Sequence, residues 1–414
     1  MMKRMTVFLA ALILLLTAAV AVADSTADGP VRLDGSTIIS GGQIYYSGSI
    51  DGGKSGVFVM NTDGSDPRLI AEATADLLAL SGENLLVYEY DLDTGDALLG
   101  VLLPDGALIP LGEEYAGTAV AADGRFYWGA GSCAEDGSDV QTYFTDGNYY
   151  DYYALTVEDG WLYYLDWSEM SGSVYSEGST QPMGAALCRM NLSDHSVEVI
   201  SGVGTRFLAI ENGLIYYTRD NFWRADNNGS EEVAVDEGLF CAAVDTLAET
   251  RLADYAAGDS VVDSYTLVED GVVYGLHSDY SSETGSSSSI IRVQSDGTKL
   301  PDIPVDSEAW VALSCVEDGV LYIAQCNIIA SADDFIQEDR IIAMNLADGS
   351  ETVLTSDSLD MLFYTESDPS IRIVDGRIYF APYDMERWSV CLKSMRTDGS
   401  DLTLLAHGLS FAEG

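Results

Sequence analysis

The chain of 414 residues carries 67 acidic against 19 basic side chains, a formal net charge of −48, with 47% hydrophobic residues. A surface this acidic repels phosphate backbones and excludes a nucleic-acid-binding role, and the hydrophobic content excludes a disordered acidic chain. The six cysteines are scattered without a Cys-x-x-Cys pair, which excludes a disulfide-framework domain.

The N-terminus opens with Lys3 and Arg4, continues with an apolar run over residues 7–22 broken only by Thr17, and reaches Ala21-Val22-Ala23. A basic start, an apolar middle and a small-x-small site predict a secretory signal peptide over residues 1–23. The mature chain is then expected to be secreted, with a short linker over 24–36 and one domain over 37–414. Cleavage leaves Asp24 rather than a cysteine at the new terminus, which disfavours a lipid anchor. Retention of the apolar run as an anchor is the alternative. No later stretch is apolar enough to span a membrane, and the mature domain is expected to be a monomer.

One phrase recurs through the rest of the chain. It reads Gly-Gly-Gln-Ile-Tyr-Tyr from Gly41, Asp-Gly-Arg-Phe-Tyr-Trp from Asp123 and Asp-Gly-Trp-Leu-Tyr-Tyr from Asp159. It returns from Asn212, Asp270, Asp318 and Asp375, with a weaker copy from Glu83. The tyrosines that anchor it (Tyr45, Tyr88, Tyr127, Tyr163, Tyr216, Tyr274, Tyr322 and Tyr379) recur about every 48 residues, close to the period of a propeller blade. A second phrase follows in most periods: an apolar strand ending in Asp-Gly, as in Val57 to Ser65, Ile341 to Ser350 and Leu392 to Ser400. Asp-Gly supplies the positive φ of a two-residue hairpin turn. A short apolar strand comes next, such as Arg68-Leu69-Ile70 or Val197 to Ile200.

Each period therefore reads strand a, tight turn, strand b, loop, strand c, Asp-Gly turn, strand d. This predicts an all-β fold: a single β-propeller of four-stranded blades, eight by the anchors, with seven the alternative. The Tyr88 blade is the faintest, and residues 221–262 are the hardest to thread. The strand over 37–40 and the segment over 409–411 are the candidates for closing the ring.

In such a blade the a–b and c–d turns open on one face of the disc, and the b–c loops and d–a crossings on the other. The predicted b–c loops over 167–183, 278–289, 324–340 and 382–388 are long, and long loops on a rigid scaffold are where binding concentrates. Aromatic side chains there (Trp167, Tyr175, Tyr280, Tyr383 and Trp388) are the candidate ligand-binding residues.

Other motifs read less favourably. Gly48 to Ser55 spells a phosphate loop, but strands on both sides make it a b–c hairpin, without the helix such a loop needs. Asp91, Asp93 and Asp96 are spaced like calcium ligands, yet the distal bidentate Glu is missing. No cofactor is required, and calcium at these three is the one metal considered. His195, His277 and His407 fall in different periods, and no Gly-x-Ser-x-Gly elbow is present. The aromatic stretch from Tyr143 to Trp167 reads mainly as core between blades. Cys315 and Cys326 flank one predicted hairpin and form the first disulfide pair to consider.

Tyr216-Tyr217-Thr218-Arg219-Asp220 and Tyr127-Trp128 resemble the Tyr-Trp-Thr-Asp repeat of low-density-lipoprotein-receptor propellers. The Met-Asn-x-Asp-Gly-Ser phrase is similar to bacterial exported propellers of unknown function, and more distantly to TolB-like propellers. The resemblance covers the mature chain and implies fold rather than activity. These readings converge on a secreted non-catalytic propeller that presents its b–c loops to an extracellular peptide, protein or glycan. The alternatives are a carbohydrate-active propeller enzyme using loop carboxylates and a calcium-stabilised structural module.

Overall fold

The computed structural model describes residues 30–49, 55–90, 97–112, 118–129, 131–144, 152–168, 184–226, 229–256, 261–279, 286–306, 309–330, 335–357, 360–362, 371–386 and 388–409. All regular structure among them is β, and the chain folds as a β-propeller. Six four-stranded antiparallel sheets follow one another in sequence. The second unit, for example, runs Thr74–Ser81, Asn84–Tyr90, Ala97–Leu102 and Leu108–Gly112. The first unit (Thr37–Ser40, Gln43–Ser49, Ser55–Asn61, Arg68–Ala71) and the last (Ile371–Val374, Arg377–Phe380, Ser389–Arg396, Thr403–Leu409) merge into one eleven-stranded sheet.

That merger joins the two ends of the chain. Gly48 pairs with Leu409 and Ser49 with His407, so the last strand lies beside strand b of the first unit. Strand Val31–Asp34 adds to the inner side through Val31 opposite Ile39. A buried cluster crosses the same joint, uniting Ile44, Tyr46, Phe58 and Met60 with Tyr379, Leu392, Ala406 and Leu409. Among the described residues there are seven further clusters of this kind, one between each successive pair of units.

All the anchoring tyrosines lie on strand b, and each is at most 9% exposed. They are apolar fillers of the seams, and burial raises the pKa of the Tyr163 and Tyr216 phenols, for example. Except in the second unit, where only Gly82 is left-handed (φ 59°), the turns before them are of the two-residue type with both central residues left-handed, as in Asp123 and Gly124 (φ 50° and 71°) or Asp318 and Gly319 (51° and 76°). Asp and Asn tolerate that region and Gly is free in it, which is why this dipeptide marks the position.

The c–d Asp-Gly turns correct the sequence expectation. Asn61 N donates to Ser65 O and Gly64 N to Asn61 O, so the loop has three residues and only the glycine is left-handed. The aspartate acts through its side chain instead, its carboxylate accepting the amide two residues on, as Asp63 does from Ser65 and Asp398 from Ser400. These turn glycines ride on the preceding unit. Strand d carries an aliphatic one-residue bulge at Ile70, Ile200, Leu252, Leu354 or Leu405, read from the register with strand c. A Cβ on Gly399 would meet Leu354 O at 3.0 Å, and one on Gly64 would meet Leu405 Cδ2 at 3.1 Å. The second contact repeats the pattern across the joint.

Two predicted loops are strands instead. Residues 324–330 and 335–340 belong to the paired strands Val320–Ala330 and Phe335–Asn345, which run from Val320 opposite Asn345 to Ala330 opposite Phe335. Strands Val272–Asp279 and Ser287–Gln294 likewise consume both ends of the loop predicted over 278–289. The stretch that resisted threading holds an inserted hairpin, Phe222–Asp226 with Gly229–Val233, between strands b and c of the fifth unit. Cys315 and Cys326 are both free. Cys315 faces Tyr322 whereas Cys326 faces Trp310, five positions along strand a, about 16 Å at the usual strand rise.

Candidate functional site

The b–c face is built where strands b and c outrun their neighbours. The inserted hairpin of the fifth unit rises there, as does the long hairpin of the seventh. In the last unit the two-residue strand Tyr383–Asp384 pairs with Asp360–Met361, a segment that arrives from the seventh. Asp384 is 3% exposed and accepts the amide of Glu386, which fixes the start of the b–c turn.

That turn ends at Trp388. The residue is 73% exposed, and its backbone is left-handed with φ 54°. A bulky side chain rarely adopts this conformation. Tyr383 is half-buried against the joint cluster. Trp167 is half-buried, edge-on to Tyr153 at 6.5 Å, and packs on the seam between the fourth and fifth units. Tyr175 and Tyr280 lie outside the described residues, as do Asp91, Asp93 and Asp96. Of the aromatic stretch, Tyr152, Tyr163 and Tyr164 are buried, and Phe144 stacks on Tyr152 with centroids 4.0 Å apart. Among the described residues no group of three or more His, Cys, Asp or Glu side chains is placed to hold a metal ion, and no helix is long and apolar enough to cross a membrane.

The same face carries a polar seam between the fifth and sixth units. Asp220 accepts hydrogen bonds from Tyr255 Oη (2.6 Å) and Thr218 Oγ1 (2.9 Å), with Arg206 at 3.5 Å. Burial, followed by the Asp220 charge, holds the Tyr255 phenol well above its ordinary pKa. On the sixth unit Asp263 stands opposite His277 across strands a and b. Asp263 Oδ1 lies 2.7 Å from His277 Nδ1, and its Oδ2 accepts the amide of Ala256 at 2.7 Å. The carboxylate is 7% exposed and the imidazole 30%. A carboxylate only accepts, so Nδ1 carries the hydrogen and the contact fixes the orientation of the ring. The sequence hid this pair because its members are fourteen residues apart and meet only by strand register.

The opposite face carries a carboxylate collar. Glu158, Glu211, Glu269 and Glu317 each end strand a of four successive units, immediately before the a–b turn. Glu211 accepts the amides of Asp270 and Gly271 in the next unit at 2.8 Å each. Burial, then the charges of Glu211, Asp270 and Glu317, push Glu269 up to about 7. Glu158 and Glu317 are raised as well, again chiefly by burial. A Glu before four of the Asp/Asn-Gly repeats was the sequence signal for this collar.

A carboxyl raised in the folded state holds a proton that the unfolded chain releases, so its stabilisation is complete at low pH and is lost as pH rises through the folded value. The lowered aspartates of the c–d turns act in the opposite direction, but below their ordinary 3.8. Stability is therefore expected to fall as pH rises from about 5 to 8, and Glu269→Gln to flatten that slope. Thermal melts of both proteins across this range check it; identical slopes would remove Glu269 as the cause.

No family model matches the chain, and no curated protein matches it. Similar solved structures include a prolyl endopeptidase (TM-score 0.49, 12% identity, 94% of this chain and 56% of that one). The chain thus spans little more than half the length of that enzyme. An oligogalacturonate lyase from Vibrio parahaemolyticus gives a TM-score of 0.48 at 10% identity over 82% of this chain and 93% of the lyase. TolB from Acinetobacter baumannii gives 0.31 at 12% identity, over 79% and 77%. At these scores no activity passes from them to this chain.

Proposed function

We propose that the protein is an exported, non-catalytic interaction propeller of eight four-stranded blades with Tyr-Trp-Thr-Asp-like repeats, whose b–c face binds an extracellular peptide, protein or glycan. The observation that carries this reading is Trp388: a large apolar ring, 73% exposed, on a left-handed backbone. Left-handed geometry costs an L-residue about 1–2 kcal/mol, and a residue 73% exposed gains little from burial to offset it. A strained, solvent-facing aromatic on a rigid turn supports a role outside folding.

A second reading, a carbohydrate-active enzyme, draws on the Asp263–His277 pair, since a carboxylate-oriented imidazole is the base half of many acid–base sites.

One experiment addresses both. The full chain is screened against polysaccharides and basic peptides for binding and for turnover, alongside Trp388→Asn and His277→Ala. Asparagine tolerates the left-handed backbone, so the melting temperature of Trp388→Asn is expected to hold or rise while binding weakens by about tenfold or more. Binding unchanged in Trp388→Asn overturns the first reading. Turnover that disappears in His277→Ala establishes the second in its place.

A further inference from the structure

Strand d ends each unit toward solvent, and an open strand edge is a template for pairing with another chain. Most of these edges are blunted. Pro110 stands in that of the second unit, and Pro304 in that of the sixth, which has only three residues. The third unit's has two, Gln141–Thr142. Arg68 opens the first unit's, Glu249 and Arg251 punctuate the fifth's, and Glu351 opens the seventh's. The last unit's runs into the ring joint. Proline, brevity and charge are the usual protections of an edge. The fourth unit's strand, Val197–Ser201, has no proline, and its one charge, Glu198, is engaged by Arg189 of strand c at 2.6 Å. Val197 and Val199 lie opposite Met190 and Cys188 and so point toward the third unit. The two-residue outer strand there leaves them 48% and 63% exposed. Among the described residues no strand pairs with the outer side of Val197–Ser201.

Bare aliphatic side chains at alternate positions beside an open ladder fit an extended segment that adds as a fifth strand. Its main chain completes the ladder, and its own aliphatic side chains stand beside Val197 and Val199. A second copy of the chain is a poor fit. Two chains of net charge −48 repel each other. An edge of about 17 Å also falls far short, by itself, of the roughly 800 Å² per partner that a stable dimer buries. The same charge draws a cationic chain toward the surface. On these grounds we infer that the rim of the fourth unit receives an extended basic segment of a partner protein, with alternating aliphatic and basic residues, as an added strand. The inference is independent of Trp388, which lies in the last unit: either can fail while the other holds.

The test titrates the full chain with acetyl-Lys-Val-Lys-Val-Lys-Val-Lys-amide and follows binding together with amide hydrogen exchange. The comparison ligand is the same peptide N-methylated at every residue, which keeps the charges and side chains but donates nothing to a ladder. The first peptide is expected to bind and to protect the amides of residues 197–201; the second is expected not to bind. Val197→Lys/Val199→Lys places charges on side chains that face water, so the fold is kept, and binding is expected to weaken by about tenfold or more. Leu402→Lys/Leu404→Lys makes the same charge change at exposed leucines (50% and 40%) on the rim of the last unit, and is expected to leave binding unchanged. Equal losses in the two double variants, or equal binding of the methylated peptide, would assign the binding to diffuse charge on an acidic protein and overturn the inference. Protection confined to other strands, or no binding of the first peptide, would overturn it as well. A parent chain that sediments as a dimer while Val197→Lys/Val199→Lys is a monomer would give the edge to a second copy instead.

Discussion

Gly48→Val is expected to destabilise the protein by about 3 kcal/mol or more, because the ring joint leaves no room for a side chain there. A Cβ at Gly48 would stand 2.9 Å from Gly408 O and 3.1 Å from Leu409 Cα, both main-chain atoms of the closing strand. Gly56 faces Gly48 from strand c, and a Cβ there would meet Ala71 O at 2.7 Å. Main-chain atoms on both sides are tied into ladders, so the closing strand has to move away. Its departure opens the cluster around Tyr46, Met60, Leu392 and Leu409, and it exposes two sheet edges. Gly202→Val is the comparison, since nothing lies within 4 Å of a Cβ at that position. Urea unfolding of the two variants should separate their midpoints clearly, with Gly202→Val close to the parent. Matching midpoints would mean that the joint contributes little to stability.

The second large effect is expected at Arg189, whose side chain is 6% exposed in an otherwise apolar seam. Its guanidinium lies 4.1 Å from the centroid of Trp161. It donates to Glu198 Oε2 from Nε (2.8 Å) and Nη2 (2.6 Å), and to Val244 O of the fifth unit from Nη1 (2.5 Å). Arg189→Met keeps the stem but removes the stack and three charge-assisted bonds, and it orphans the Val244 carbonyl. The expected loss is about 2–4 kcal/mol. Glu198 is 45% exposed and can turn to water, so Glu198→Gln is expected to cost only about 0.5–1 kcal/mol. A double-mutant cycle read by denaturant unfolding gives the coupling. Equal losses from the two single variants would show that the arginine acts through Glu198 alone.

The parts of this fold that were legible beforehand are those with a local cause. Outside the second unit each a–b turn needs two left-handed residues, few dipeptides supply them, and Asp-Gly, Asn-Gly or Gly-Gly therefore stands there beside a tyrosine that fills a seam. Strand order, blade period and the facing of the b–c loops follow from that punctuation. The c–d turns were misread because the same two letters serve a three-residue loop when the aspartate side chain caps the following amide. The long loop expected over 324–340 was misread because polar residues in an extended hairpin look like loop residues when their partner strand is unknown. Of the candidate ligand residues, Trp388 stands exposed on its turn, whereas Trp167 leans on a core seam, and only packing separates the two.

By itself, then, the sequence determined the all-β class, the repeating four-stranded unit and the tyrosine anchors, since all of these are short-range consequences of backbone geometry and side-chain volume. Tertiary structure alone decided which residues meet across units. His277 faces Asp263, Glu211 caps the next turn, and Leu405 supports Gly64. Such meetings depend on strand register, bulges and the closing of the ring, and none of these leaves a mark within the few residues over which a sequence pattern can be read.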